Sequence, residues 1–172
     1  KGNYNPALRD ERGVRYWAYP GMEGHEHRNI GLERDAKLGT ISTNPENHQK
    51  MVLARQAKID QVANQIPLLQ VQGNIDSDTL LVGWGSTEGH LHAAANELGC
   101  ALAHFNYINP LPKNTEEVLR QYKRLIVCEL NSGQFASYLR SQIEGLHIEQ
   151  YNELTAQPFA VDRIVNFIKN AL

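Results

Sequence analysis

Thr79-Leu80-Leu81-Val82-Gly83-Trp84-Gly85-Ser86-Thr87 is the stretch whose reading decides the fold. Its first half is apolar without alternation, as expected for a strand covered on both faces. Its second half is a glycine turn that runs into a helical pattern. Ser86 stands where a helix cap is expected, Leu91, Ala94, Ala95 and Leu98 share a face, and Gly99 closes the helix. The same unit recurs downstream. Ala101 to Ile108 predicts a second strand. Asn114, with Glu117 three residues on, resembles a capping box opening a helix that turns Val118, Leu119 and Tyr122 inward. Leu125 to Cys128 predicts a third strand, and Ser132 caps a helix with Phe135, Leu139 and Ile143 inward. His147 to Tyr151 predicts a fourth strand. A last helix after Pro158 carries Val161, Ile164, Val165, Ile168 and Leu172. Parallel strands need crossovers of this length, and helices supply them on both faces. Residues 68–172 therefore read as one open three-layer α/β/α domain with a mostly parallel, Rossmann-like sheet.

Upstream the pattern differs. Residues 1–42 are rich in Gly, Arg and His and show no sustained period. Tyr16-Trp17-Ala18-Tyr19-Pro20-Gly21 predicts a short strand ending in a turn. The segment is too irregular to fold by itself and is expected to pack on something. Residues 43–67 then predict a linker helix, with Asn44 as cap, Pro45 at the first position and Glu46 at the positive end of the dipole. Val52, Ile59, Ala63 and Ile66 form its docking stripe, and Pro67 stops it.

Of 172 residues, 41% are hydrophobic, so a buried core needs neither disulfides nor metals. Basic and acidic side chains number 17 and 19, for a net charge of −2 without any Lys/Arg run. Nucleic acid and membrane surfaces therefore find no electrostatic support as partners. No apolar stretch reaches the roughly 20 residues a membrane span needs, and no signal peptide is visible. Cys100 and Cys128 lie in apolar stretches outside any CxxC pair, as expected for buried free thiols in a reducing cytoplasm. The chain opens on Lys1 in a polar segment, as expected of a piece of something longer.

Candidate chemistry is sparse. The turn Gly83 to Thr87 could hold an anion on backbone N–H groups at a helix start. Its spacing departs from the dinucleotide fingerprint: Glu88 takes the third glycine's place, and no acidic residue follows the next strand. A tight packing turn explains it as well. Glu129, Asn131, Ser132 and Gln134 follow the third strand at the edge where open α/β sheets place ligands. Gly85, Ser86, Thr87, Asn131, Ser132, Gly133 and Gln134 are thus candidates for an anion site or a subunit contact. His90 and His92, two apart on a helix, point away from each other. His25 and His27 could share a metal in an extended segment, but no third ligand lies at zinc spacing. Asp76 and Asp78 sit in a polar turn, and no nucleophile elbow or P-loop is present.

Three ordered sets of residues carry a family resemblance. Pro20-Gly21-Met22-Glu23-Gly24, Gly31-Leu32-Glu33-Arg34-Asp35 and Asn44-Pro45-Glu46-Asn47-His48 form the first. Leu81 to Thr87 is the second. Asn109-Pro110-Leu111-Pro112, Glu129-Leu130-Asn131-Ser132-Gly133-Gln134 and Gln157-Pro158-Phe159 complete the third. Together they resemble the C-terminal part of the alpha subunit of a 2-oxoacid:ferredoxin oxidoreductase, nearest the 2-oxoglutarate type. Arg34 and Ser132 depart from that pattern, which bears on subtype. The resemblance implies that residues 1–42 end a pyrimidine-type thiamine-enzyme domain and that 68–172 form a transketolase-C-like domain. It also implies a complex that decarboxylates a 2-oxoacid on thiamine diphosphate and magnesium, reduces ferredoxin through an iron–sulfur cluster and forms an acyl-CoA. A beta subunit would supply most of those cofactor sites, in a homo-oligomer of heterodimers. No catalytic, cofactor or metal residue carries over to a position of this chain, which is expected to be inactive alone. Two other classes stay open: a transketolase-C-like domain of another thiamine enzyme, and a stand-alone anion- or nucleotide-binding regulatory module.

Overall fold

The computed structural model describes residues 4–27 and 31–170. They form two compact units, Lys1–Gln65 and Ile66–Leu172.

The second unit is the α/β/α domain. Its elements are β1 (Val71–Gly73), β2 (Thr79–Trp84), α2 (Glu88–Leu98), β3 (Ala101–Phe105), α3 (Thr115–Arg120), β4 (Arg124–Glu129), α4 (Gln134–Gln142), β5 (Glu149–Asn152) and α5 (Val161–Asn170). The sheet order is β1-β3-β2-β4-β5. The four strands β2 to β5 run parallel, and β1 joins antiparallel to β3. In register, Leu81 sits between Leu102 and Ile126. The pleat sends alternate residues to opposite faces. Leu80, Val82, Ala103, Phe105 and Val127 meet Leu119, Phe135 and Leu139 from α3 and α4. Leu81, Leu102, Ile126 and Cys128 meet Leu91, Ala95, Ile164 and Ile168 from α2 and α5. Continuous apolar strands are thus two interleaved stripes, one per face.

Several local expectations are corrected. The second strand stops at Phe105, short of Ile108. The edge strand β1 was not foreseen; three residues of Val-Gln-Gly carry no period and pair only because β3 lies alongside. Asn114 makes no capping bond. Its amide instead accepts from the Leu69 N–H at 2.8 Å and donates to the Leu69 carbonyl at 3.0 Å, clamping the chain ahead of β1. Ser86 lies inside a 3₁₀ turn, Gly85–Thr87, and Thr87 takes the position ahead of α2. Ser132 lies outside α4, whose cap position is Gly133 at φ 92°. Small polar residues compete for several backbone partners, so sequence marks the turn but not which residue closes it.

Within the sheet, Arg124 donates from Nε and Nη2 to the two carboxylate oxygens of Glu149, each at 2.8 Å. These bonds hold the Glu149 carboxyl below its usual range, against an opposing burial effect. A depressed folded pKa gives stability that is present above the unfolded value, about 4.3, and lost as pH falls through the folded one. The partly exposed pair should contribute about 1 kcal/mol. Urea unfolding from neutrality down through the carboxylate range should show that loss, and Glu149→Gln should remove its share. An unchanged acid slope in the variant would contradict the assignment.

The first unit contains α1 (Pro45–Val62) and short loops closed by side chains. Asn44 caps α1 as expected, accepting from the Asn47 N–H at 2.7 Å. The docking stripe is corrected at Val52, which is 44% exposed; Ile59, Ala63 and Ile66 are half-buried, and the buried positions of α1 are Asn47 and Met51. Asn47 sets that face, because its amide donates to the Arg34 carbonyl and accepts from the Ala36 N–H. A polar anchor overrode the apolar count. The strand expected at Tyr16 is also corrected. Asp10 accepts from the Arg12 and Val14 N–H groups to build a turn, and only an isolated Arg9–Arg15 bridge follows. Among the described residues, no helix is long and apolar enough to cross a membrane.

Candidate functional site

β2 and β4 are neighbours, yet the segments leaving them part company. From β2 the chain passes to α2 on one face, and from β4 to α4 on the other. Such a divergence opens a crevice at the carboxyl ends of the strands. Here it is a cleft of about 160 Å³ lined by Trp84, Gly85, Ser86, Thr87, Glu129, Leu130 and Asn131. The structure brings Gly85, Ser86, Thr87 and Asn131 of the candidate set to this cleft, while Ser132, Gly133 and Gln134 do not line it. Gly85 and Ser86 are exposed, and Thr87 is buried with its hydroxyl donating to the Trp84 carbonyl at 2.9 Å. Ser132 and Gln134 are exposed, while Gly133 is buried.

The donors at the α4 start are already committed. Asn131 Oδ1 accepts from the Gly133 and Gln134 N–H groups at 2.8 and 2.9 Å. Glu129 accepts from the Phe135 N–H at 2.8 Å and the Ala136 N–H at 3.0 Å. The positive end of the helix thus holds the chain's own carboxylate. Glu129 is 1% exposed, and Trp84 Nε1 and Asn131 Nδ2 also donate to it, at 3.2 and 3.1 Å. Across the crevice, α2 opens on Glu88. An added anion would meet one carboxylate in place and another nearby. Glu129 organises the cleft, and sequence reading did not give it that role. An acid closing an otherwise apolar strand, two residues before an Asn, was the available signal.

His104 is a second unusual feature. Its side chain is 3% exposed and neither ring nitrogen has a hydrogen-bond partner. Glu88 Oε2 stands 3.9 Å from Nδ1, beyond hydrogen-bond range. A cleft of about 200 Å³ beside it is lined by Leu68, Gln70, Asn106 and Tyr107 among others. An unsatisfied buried polar group costs about 1–3 kcal/mol, and removing it together with its need for a partner is close to neutral. His104→Leu should therefore leave stability within about 1 kcal/mol of the parent, or raise it. A loss above about 2 kcal/mol in urea unfolding would show that the imidazole has a partner in solution.

The remaining candidates are accounted for locally. Nδ1 of His25 bonds the Glu23 carbonyl, and Nδ1 of His27 bonds the His25 carbonyl, with both rings against Tyr4. Among the described residues, no three His, Cys, Asp or Glu side chains gather as metal ligands. Both cysteines are buried free thiols. Burial raises the Cys100 thiol to about 11 and pushes Cys128, inside β4, higher still.

Comparison with known proteins bears on the arrangement as a whole. No protein-family model matches the chain. It is 40% identical, over 176 aligned positions and 98% of its length, to 2-oxoglutarate oxidoreductase subunit KorA of Mycobacterium tuberculosis. The chain is similar, along nearly its whole length, to a segment of these oxidoreductase subunits. It spans 26% of that curated relative. A solved 2-oxoglutarate:ferredoxin oxidoreductase from Magnetococcus marinus, with 2-oxoglutarate, coenzyme A and succinyl-CoA bound, matches 99% of this chain and 31% of its own. The TM-score is 0.84 at 25% identity, so the chain shares the fold of that segment. Its mostly parallel five-stranded sheet is the α/β architecture expected from sequence.

Proposed function

We propose that this chain is the C-terminal scaffold and assembly segment of the alpha subunit of a 2-oxoacid:ferredoxin oxidoreductase. The substrate of the complete cytoplasmic complex is 2-oxoglutarate, which it decarboxylates oxidatively to an acyl-CoA while reducing ferredoxin. Collinear identity over 98% of the chain to a 2-oxoglutarate oxidoreductase subunit carries this reading. The geometry supports a scaffold. In the switch-point crevice, the donors that would hold a ligand at α4 are taken by Asn131 and Glu129. Gly85, Ser86, Ser132 and Gln134 stay exposed around it and form a subunit contact. In the first unit, Tyr16, Trp17 and Tyr19 are exposed at 58%, 74% and 64%. Exposed aromatic residues in a group mark a protein interface. A beta subunit binding thiamine diphosphate, magnesium and an iron–sulfur cluster is the partner.

The test is a viologen-reduction assay with 2-oxoglutarate, CoA and thiamine diphosphate, run on this chain alone and on the complete alpha subunit with its beta subunit. Turnover should appear only in the complex. Turnover by the chain alone, or a complex inactive on every 2-oxoacid, would overturn the proposal.

A further inference from the structure

We propose that the first unit carries its own binding site for a compact anion, a phosphate- or carboxylate-bearing small molecule, in an arginine-walled cleft. The cleft measures about 530 Å³ and is lined by Tyr4, Arg15, Tyr16, His27, Arg34 and Arg55, with Glu33 also in the lining. That size suits a small-molecule ligand.

The charges in the cleft do not balance. Arg15, Arg34 and Arg55 face a single carboxylate, and Glu33 is already shared between His48 at 2.7 Å and Arg55 at 3.3 Å. Arg34 donates to the Gly39 carbonyl at 3.2 Å, which steadies its guanidinium without neutralising it. Arg15 is exposed and makes no side-chain hydrogen bond or ion pair among the described residues. Arg9 registers the crowding: burial first, then the charges of Arg15 and Arg55, lower its pKa. Like charges gathered along a concave wall raise the local concentration of a counter-ion. Guanidinium groups match the paired oxygens of phosphate and carboxylate. A protein with net charge −2 that still collects three arginines in one cleft concentrates its positive field there. Tyr4, whose hydroxyl donates to the Tyr16 carbonyl at 3.1 Å, ties the lining together next to Arg15. This site shares no residue with the crevice at β2 and β4, and it does not depend on the oxidoreductase reading.

The experiment is titration calorimetry of this chain at low ionic strength, with inorganic pyrophosphate in one arm and 2-oxoglutarate in the other. At least one should bind with a Kd below about 1 mM. Arg15→Ala should weaken that binding by about 10-fold or more, and added salt should weaken it further. The circular dichroism melt of Arg15→Ala should be unchanged, because its side chain is exposed. Binding of pyrophosphate alone identifies a phosphate source, and binding of 2-oxoglutarate alone a carboxylate source; either supports the site. Arg12→Ala is the control, since Arg12 is paired with Asp10 at 3.0 Å and lies outside the cleft. No saturable heat from either ligand, equal affinity in Arg15→Ala, or equal losses in Arg12→Ala and Arg15→Ala would each overturn the proposal.

Discussion

Glu129→Ala should lower the stability of the α/β domain by about 3–5 kcal/mol, far more than removal of a surface acid. The side chain is 1% exposed and accepts four hydrogen bonds: from Trp84 Nε1, Asn131 Nδ2 and the Phe135 and Ala136 N–H groups. Each buried donor left without a partner costs about 1–3 kcal/mol. Water entering the small cleft would recover part of the loss, which places the sum well below four full penalties. Glu129→Gln separates shape from chemistry. Its carbonyl oxygen could still serve Phe135, Trp84 and Asn131, but its NH₂ would then face the Ala136 N–H, donor against donor. A loss of about 2 kcal/mol is expected, intermediate between the parent and alanine. Guanidinium unfolding of the three proteins would measure the series. Equal stability of parent and Glu129→Gln would show that the Ala136 contact carries no weight, and would remove the basis for calling the α4 start occupied.

The same residue shows where sequence reading stops. Three of the four parallel strands, β2, β3 and β4, were legible because their apolar runs are dense and each is followed by a helical period; β5, Glu149–Asn152, has no such run. Leu81, Leu102 and Ile126 needed no tertiary information to be placed inside. Glu129 was visible as an acid at a strand end, where polar residues are ordinary. Its role depends on Trp84, 45 positions earlier, arriving beside it when β2 pairs with β4. Asn114 repeats the lesson. Its spacing to Glu117 matches a capping box, yet its partner is Leu69, again 45 positions away. Local spacing cannot rank a nearby donor against a distant one: Asn114 takes the distant Leu69 N–H, and Glu129 takes the nearby Phe135 and Ala136 N–H groups together with the distant indole. The arginine cleft was hidden for a related reason. Arg15, Arg34 and Arg55 are spread over 41 positions with no basic run between them, so only the folded first unit brings them to one cleft.

The glycine turn supplies the second large effect. Sequence reading treated Gly83 and Gly85 together, as a tight packing turn or an anion loop. The structure gives them different work. Gly85 has φ +65°, and a Cβ there would meet nothing within 4 Å. Gly85→Ala should therefore cost only the backbone penalty of a left-handed alanine, about 1–2 kcal/mol. Gly83 lies mid-strand in β2, and a Cβ there would collide with Leu91 Cδ1 and reach Thr87 Oγ1 at 2.8 Å. Leu91 is fully buried on α2, so it cannot swing away without opening the layer between β2 and α2. Thr87 cannot give either without losing its bond to the Trp84 carbonyl. Overpacking of this kind costs about 1–3 kcal/mol and sometimes more. With the Thr87 bond disturbed as well, Gly83→Ala should lose about 3–4 kcal/mol. Gly83→Ala with Leu91→Ala should recover part of that loss relative to Leu91→Ala alone, because the new methyl group then enters vacated space. Chemical unfolding of the two glycine variants and the double variant decides the point. If Gly85→Ala proves the more damaging, the turn's conformation and not helix–strand contact is what these glycines secure. If the double variant shows no coupling, Leu91 is not the group that Gly83 makes room for.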